Sequence, residues 1–499
     1  MRRAADVLRE LPRHPRLLPA LWAVLLLACL SRMLSHSIAA SDKRDLRVLG
    51  GWDENHYYAW ARSAVVDGDA RFRNDFEFLA SLRGVPLLSD TFRRALDTVP
   101  DTPTGHFPNK YGVGNALLGA PGLLVARAAV LAYGEDRVHP FATIYLVGYR
   151  ASLIVVAFLG LAAAVRLLGE LGHSRGVGAA SVALVFLGTP LGYYIWYNHD
   201  MAHAGGFTLL TLLLLASVRW RGALRADGRS WMALAAAMGV LLALAAMARF
   251  PNAIAAVFPF ALAVGEWLGA PMEFRRRILV RSVVSCLAAA GCAVAAAVPQ
   301  LLAWKVVYGE YLLYSYTGER FRAWPSNAPL VLAGARNSLF LWSPLWLLAL
   351  GALAQPVRRD AGVLAGLAAL FAGFLWLYGS WEFYWLGTSF GMRGFVDISA
   401  VAMVGAASLV ERTRGPLPGR RLLAAAVALS ILWSLWMVGA YRAEVQRGGE
   451  PFAGRALVTE AADIADQWWK DVRGIPPFHA RRYPLFTPRS LGEDSRGPD

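Results

Sequence analysis

Two adjacent carboxylates, Asp53 and Glu54, open the run Gly51-Trp52-Asp53-Glu54-Asn55-His56-Tyr57-Tyr58 directly after an apolar segment. The pattern predicts a helix in which Tyr57, Ala61, Ala64 and Val65 share a face. A carboxylate fixed at a membrane surface can act as a general base, because a hydroxyl is a poor nucleophile until its proton is withdrawn. The same pair also fits a structural role, Asp53 capping the helix and Glu54 favouring its dipole. The two roles are compatible.

A second constellation is His106-Phe107-Pro108-Asn109-Lys110-Tyr111-Gly112-Val113-Gly114. No strand precedes it and its glycines do not make the dinucleotide fingerprint. Its Pro and Gly residues fit either plain turn chemistry or the mouth of a groove, where Lys110 is able to meet a phosphate. A third is Tyr197-Asn198-His199-Asp200-Met201-Ala202-His203, with both histidines on one helical face. A metal site usually needs three protein ligands in known geometry. The preferred reading is Asp200 capping the helix with His199 and His203 at the wet interface, and no metal or other cofactor is expected.

The fourth set is arginine: Arg150 a few turns inside an apolar run, Arg249 in Ala248-Arg249-Phe250-Pro251, Arg336 before a run, and Arg393 in Gly391-Met392-Arg393-Gly394. An arginine at membrane depth is costly unless paired or functional, and its fork suits a phosphate. Arg249 and Arg393 are expected to hold one. The structural alternative is snorkelling, or a salt bridge to Asp53, Glu54 or Asp200. The segment 308–324 adds Tyr308, Tyr311, Tyr314, Tyr316 and Trp324, which fit an interfacial belt better than a sugar platform.

The elements that must position these residues are membrane helices. The 499 residues are 56% hydrophobic and 17% charged, with a mean hydropathy of +0.40, too apolar for an ordinary soluble domain. The formal charge of +15 sits in short clusters between apolar runs, a pattern that argues against nucleic acid and for a lipid bilayer. The three cysteines imply neither a disulfide framework nor a zinc site.

Runs of about 20 apolar residues predict about eleven transmembrane helices, at 17–36, 141–168, 176–196, 201–218, 231–248, 251–268, 282–303, 337–355, 361–379, 394–411 and 422–441. Arg219, Arg221, Arg225 and Arg229 fill one connection, Arg275, Arg276, Arg277 and Arg281 another, and Arg412, Arg414, Arg420 and Arg421 a third. The positive-inside rule makes these cytoplasmic. Arg2, Arg3, Arg9, Arg13 and Arg16 put the N-terminus, 1–16, on the same side, and the pairs Arg166/Arg175 and Arg358/Arg359 keep the register.

Counting 113–132 as a span would break that register, so it is expected to lie flat at the interface. A cleaved signal peptide is a second reading of 17–36, but Arg32 and His36 argue for a retained anchor. The resulting fold class is an all-α polytopic membrane protein, N-terminus inside. A long first outer loop (37–140) carries the chemistry and interfacial helices, helices 2–11 occupy 141–441, and an outer tail spans 442–499. The tail holds an amphipathic piece at 455–472 and a Pro-rich charged end.

With these residues in this order, the chain resembles the GT-C superfamily, the polyprenyl-phosphate-sugar-dependent glycosyltransferases that include protein O-mannosyltransferases and aminoarabinose transferases. The resemblance rests on the acidic pair Asp53-Glu54 with Tyr57-Tyr58 after the first span and on the Pro108–Gly114 element (108–114). It also rests on the turn at 197–203 and on Arg249, and covers roughly 15–255; Arg393 looks like a late phosphate-binding arginine.

The resemblance implies inverting transfer on the outer face of the cytoplasmic membrane, from a polyprenyl-phosphate-linked sugar donor to a glycan, lipid or protein acceptor. Asp53 would be the base and Glu54 its support. Tyr57, Lys110, Tyr111, Arg150, His199, Asp200, His203, Arg249 and Arg393 would bind substrate. Two alternatives remain open, a transporter or flippase of a lipid-linked saccharide and a non-catalytic envelope assembly protein. The former usually shows an inverted repeat with ionisable residues at mid-membrane, whereas here acidic residues are nearly absent from the expected spans.

Overall fold

The structure, a computed structural model, describes residues 17–42, 51–82, 86–134, 139, 141–316, 319–353, 360–387, 389–414 and 419–446. The arginines before residue 17, the Arg358/Arg359 pair and the tail piece at 455–472 lie outside these residues.

Among the described residues the chain is helical, with one isolated bridge between Phe321 and Trp381. After α1 (Leu17–Asp42) comes a folded insertion of α2 (Trp52–Arg62), a π turn (Ser63–Asp67), α3 (Arg73–Ser81) and α4 (Pro86–Thr98). The chain continues through α5 (Gly114–Ala132), α6 (Thr143–Glu170), α7 (Arg175–Gly188), α8 (Pro190–Trp196), α9 (Ala202–Arg225) and α10 (Ser230–Ala248). A 3-10 turn (Phe250–Ala256) leads into α11 (Val257–Gly269) and α12 (Met272–Tyr308). The last third holds α13 (Ala328–Ala333), α14 (Leu339–Trp342), α15 (Leu345–Leu353), α16 (Ala361–Ser380), α17 (Ser399–Arg414) and α18 (Arg420–Gln446).

Eight of these helical segments are long and apolar enough to cross a membrane, or nine if the bent pair α7–α8 is one span. The expected eleven runs differ from these segments at particular places. The run 176–196 bends by 81° where Pro190 cannot continue the ladder of α7; Thr189 caps α8 by accepting from the Leu191 amide at 3.3 Å. The run 337–355 is divided at Ser343-Pro344 into α14 and α15, and α17 has only 16 residues. In α1 the apolar part is Ala20–Ser35.

One of the eight is α5, the stretch expected to lie flat. Ser152 of α6 donates to the Leu118 carbonyl at 2.8 Å, Gly148 meets Gly122, and Arg127 donates to the Tyr145 hydroxyl at 3.1 Å. These contacts run in opposite chain directions, so α5 packs antiparallel along the first half of α6 rather than alone on a surface.

Packing in a bilayer gains little from hydrophobic burial, because lipid tails are as apolar as leucine, and small and hydroxylated residues set which helices touch. α9 shows this most: its apolar stretch is 72% buried, against 11% for α12 at the periphery. Thr208 of α9 donates to the Val156 carbonyl of α6 at 2.9 Å, tying the central helix to its neighbour.

The insertion between α1 and α5 has its own aromatic core. Trp52 stacks on Phe92 at 4.8 Å, Phe92 on Phe76 at 5.2 Å, and Phe76 meets Phe107 edge-on at 5.2 Å. Such pairs are worth about 0.5–1.5 kcal/mol each beyond the area they bury. Buried Arg62 pairs with Asp75 and Asp67, which closes the far end of α2. At the other end of α2, Trp52 is packed into this core directly beside Asp53.

Candidate active site

α2 sends its two carboxylates in different directions. Glu54 turns back and its Oε2 accepts from the Gly51 amide at 3.1 Å, so Glu54 caps its own helix and Gly51, not Asp53, is the N-cap residue. Burial pushes the Glu54 carboxyl up, and the Asp53 charge pushes it the same way. Asp53 is left free of capping and faces a cavity of about 230 Å³.

In that cavity Asp53 Oδ2 stands 2.9 Å from the Arg393 guanidinium, and Oδ1 accepts from the Tyr111 hydroxyl at 2.5 Å. Burial alone would raise the Asp53 carboxyl. The Arg393 charge, the Tyr111 hydrogen bond and the nearby Lys110 and His56 outweigh it and hold Asp53 below the ordinary carboxylate range. Tyr111 itself is pushed well up by burial and by the Asp53 charge, which keeps it a donor.

The glycines of the 108–114 element explain how Tyr111 arrives there. A Cβ on Gly112 would stand 2.1 Å from the Met247 carbonyl oxygen, and one on Gly114 2.1 Å from the Ala248 amide nitrogen. Only glycine lets this loop lie directly on the end of α10. Lys110 and Tyr111 are thus placed beside Arg249, the residue that follows α10. The Trp60 indole N–H donates to the Tyr111 carbonyl at 2.9 Å and secures the loop to α2.

Arg249 donates to the Tyr378 hydroxyl at 3.0 Å and forms an ion pair with Asp397, a carboxylate with no exposed surface. His203 Nδ1 is 3.6 Å from the same carboxylate. Lys110 Nζ pairs with Glu319 at 2.7 Å and sits 4.9 Å from the Tyr316 ring. Trp381, Phe383 and Trp385 add an aromatic wall to the lining. Arg393, Arg249 and Lys110 therefore each carry a carboxylate partner.

Of the residues singled out in the sequence, the cavity collects Asp53, Tyr57, Lys110, Tyr111, His203, Arg249 and Arg393, together with Tyr316, a residue expected in an interfacial belt. Glu54, Arg150, His199 and Asp200 are not among its lining residues. Arg150 spends its fork on Asp200, with three contacts between 2.6 and 2.9 Å, and the Asp200 carbonyl accepts from Asn115 at 3.0 Å. This pair ties α6 to the turn before α9, the salt bridge to Asp200 named as an alternative for the arginines. Among the described residues no group of three or more His, Cys, Asp and Glu is arranged so that it could hold a metal ion.

The residues that the sequence reading passed over are Asp397, Tyr378 and the wall at 381–385. Asp397 had a signal: a lone carboxylate in Phe395-Val396-Asp397-Ile398, inside a run expected to span, marks a paired or functional group. The wall lies in an irregular loop, and no periodicity announces it.

No protein-family model matches the sequence, and no curated protein matches it. Among solved structures the chain is similar to ArnT from Cupriavidus metallidurans bound to undecaprenyl phosphate, at 13% identity over 91% of this chain and 76% of that one, with a TM-score of 0.45. It is also similar to the Archaeoglobus fulgidus oligosaccharyltransferase tethered with an acceptor peptide, at 12% identity and a TM-score of 0.43. That match covers 87% of this chain and 59% of the other.

Proposed function

We propose that the chain is a membrane glycosyltransferase that moves a sugar from a polyprenyl-phosphate donor to an acceptor hydroxyl of a glycan, lipid or protein. Asp53 is the general base, and transfer takes place on the outer face of the cytoplasmic membrane. The observation that carries this reading is the meeting of one capping-free carboxylate, Asp53, with Arg249 and Arg393 around a single cavity. The arginine clusters at 219–229 and 275–281 lie at the opposite helix ends, which supports the outer placement.

The pairing gives the chemistry an order. A donor phosphate reaching Arg393 competes with Asp53 for the guanidinium, whose fork accepts either anion. As Arg393 turns to the phosphate, Asp53 loses the charge that holds its carboxyl low, and its proton affinity rises with an acceptor in reach. Tyr111 keeps the carboxylate oriented. The acceptor oxygen then attacks the anomeric carbon and its proton passes to Asp53. The bond from that carbon to the phosphate oxygen breaks, and polyprenyl phosphate departs with the electron pair while Arg249 and Arg393 stabilise its charge.

The test is sugar transfer in membranes carrying Asp53→Asn, with a polyprenyl-phosphate sugar supplied. Loss of a general base lowers the rate by about 10²–10⁴-fold. A flippase or a scaffold is indifferent to the change, so undiminished transfer in the variant removes Asp53 from the role.

A further inference from the structure

A second cavity, of about 500 Å³, lies between α9, α10, α11 and α12, toward the helix ends that carry Arg225 and Arg275 and away from Asp53. It arises because α11 and α12 diverge after their short connection. α12 follows α10, and a Cβ on Gly239 of α10 would stand 2.1 Å from the Ala289 carbonyl oxygen of α12. α11 and the 3-10 turn before it lean instead on α16, where Gly366 receives Phe258 of the helix and Gly373 receives Ile254 of the turn. The wedge left between them is walled by Phe260, Val264, Leu279 and Val283, which keep 39–68% of their surface uncovered. Its lining is almost wholly apolar, and the Trp220 indole N–H is satisfied inside it by Ser285 at 2.9 Å.

The open end of the wedge is positive. Arg275 holds its guanidinium 5.6 Å over the ring of Trp267, a lining residue, and donates to the Leu268 and Ala270 carbonyls at 3.1 Å. Arg276 beside it is exposed. At this end Arg225, Arg229, Arg275, Arg276, Arg277 and Arg281 outnumber Asp227, Glu266 and Glu273, and the ion pairs Arg225–Glu266 and Arg277–Asp227 leave Arg275 and Arg276 outside them. A hydrocarbon chain gains little by moving from the bilayer into such a wedge, since both are apolar. Selectivity must come from the headgroup, and the surplus charge selects an anion.

We propose that the wedge holds one acyl chain of an anionic glycerophospholipid whose phosphate rests on Arg275 and Arg276. The site is separate from the Asp53 cavity and does not depend on the transferase reading.

The test uses the full chain purified in detergent and offered equimolar phosphatidylglycerol and phosphatidylcholine of matched chains, with retained lipid weighed by native mass spectrometry. Phosphatidylglycerol is retained preferentially, and Arg275→Gln/Arg276→Gln lowers that preference about five-fold per arginine removed. Ala263→Trp, which fills the wedge, abolishes retention, while Ala263→Ser preserves it and controls for folding. Equal retention of the two lipids overturns the proposal. So does undiminished phosphatidylglycerol in both the arginine and tryptophan variants, or its displacement by an equal amount of a long-chain polyprenyl phosphate.

Discussion

The two ends of the helix bundle hold arginine–carboxylate pairs in opposite ways. Around Asp53 the pairs Arg249–Asp397, Arg150–Asp200 and Arg393–Asp53 keep side-chain exposure at 20% or below. At the other end Arg219–Glu170 is exposed at 45% and 37%. Taking an ion out of water costs several kcal/mol, so a buried pair persists only while each charge has its partner. An exposed pair is solvated with or without one, and contributes about 0–1 kcal/mol. The first kind of end can exchange one anion for another at a defined point; the second serves as a screened positive surface. Balanced, buried pairs at one end and an unbalanced, exposed positive surface at the other are the division of labour the molecule uses.

The largest expected effect is at Asp397. Asp397→Ala leaves the Arg249 guanidinium buried with its carboxylate gone, and stability falls by about 3–5 kcal/mol. The measurement is the thermal midpoint in detergent. Arg249→Met/Asp397→Leu removes both charges together and recovers most of the loss. A double variant no better than the single one would show that the site needs the ions for its shape, and the contrast between the two ends would lose its electrostatic basis.

Next comes the space beside the same pair. A Cβ on Gly206 of α9 would stand 2.1 Å from Asp397 Oδ1 and 2.9 Å from Asn252 Nδ2. Gly206→Ala must push the carboxylate off Arg249, at a cost of about 1–3 kcal/mol. Paired with Asp397→Ala it adds less, because the nearer of the two groups it strikes is gone and only Asn252 Nδ2 remains. Full additivity in that double-mutant cycle would place the strain elsewhere.

His56 carries the contrast into pH. Its ring is buried against Trp52 at 4.3 Å and Phe76 at 4.6 Å, with Nδ1 2.8 Å from the Trp52 carbonyl oxygen. Burial lowers its pKa from 6.5 to about 4, against the weaker pull of that carbonyl and of Asp53. The folded state therefore binds the proton less well than the unfolded chain. The stability that neutral His56 contributes is whole above pH 6.5 and is lost as pH falls toward 4. Between pH 6.5 and 5 the loss is about 2 kcal/mol. His56→Phe flattens that part of the midpoint-versus-pH curve, and an unchanged slope in the variant would assign the proton uptake to another group.

These residues also show what the sequence reveals unaided. The apolar runs announce a polytopic helical protein, because only helices satisfy the backbone in hydrocarbon. Asp53, Lys110, Arg249 and Arg393 stand out because charge beside such runs is costly. Their partners do not stand out: Asp397 lies 148 positions from Arg249 and Glu319 lies 209 from Lys110, and pairings of that range leave no local pattern. The difference between Asp53 and Glu54 is equally hidden, since it turns on which carboxylate reaches back to the Gly51 amide. The breaks at Pro190 and Ser343-Pro344 were legible as proline signals, yet hydropathy averaged over a window smooths across them. The wall at 381–385 belongs to loop geometry, which composition does not encode.

The smallest effect belongs to the exposed end, and its smallness is the point. Arg219 Nε donates to Glu170 Oε1 at 2.8 Å, a distance no worse than that between Asp53 and Arg393. Geometry is therefore matched and only the surroundings differ. Glu170→Gln shifts stability by less than about 1 kcal/mol, and the shift fades as salt is raised, because both groups are solvated in either state. The corresponding loss at Asp397 depends far less on salt, since the Asp397 carboxylate has no exposed surface and Arg249 little. Measuring both midpoints at low and high ionic strength separates the two ends by mechanism rather than by magnitude alone. If Glu170→Gln proved as damaging as Asp397→Ala, burial could not be what distinguishes the pairs. The charge exchange proposed for Asp53 would then have no special claim on the buried end.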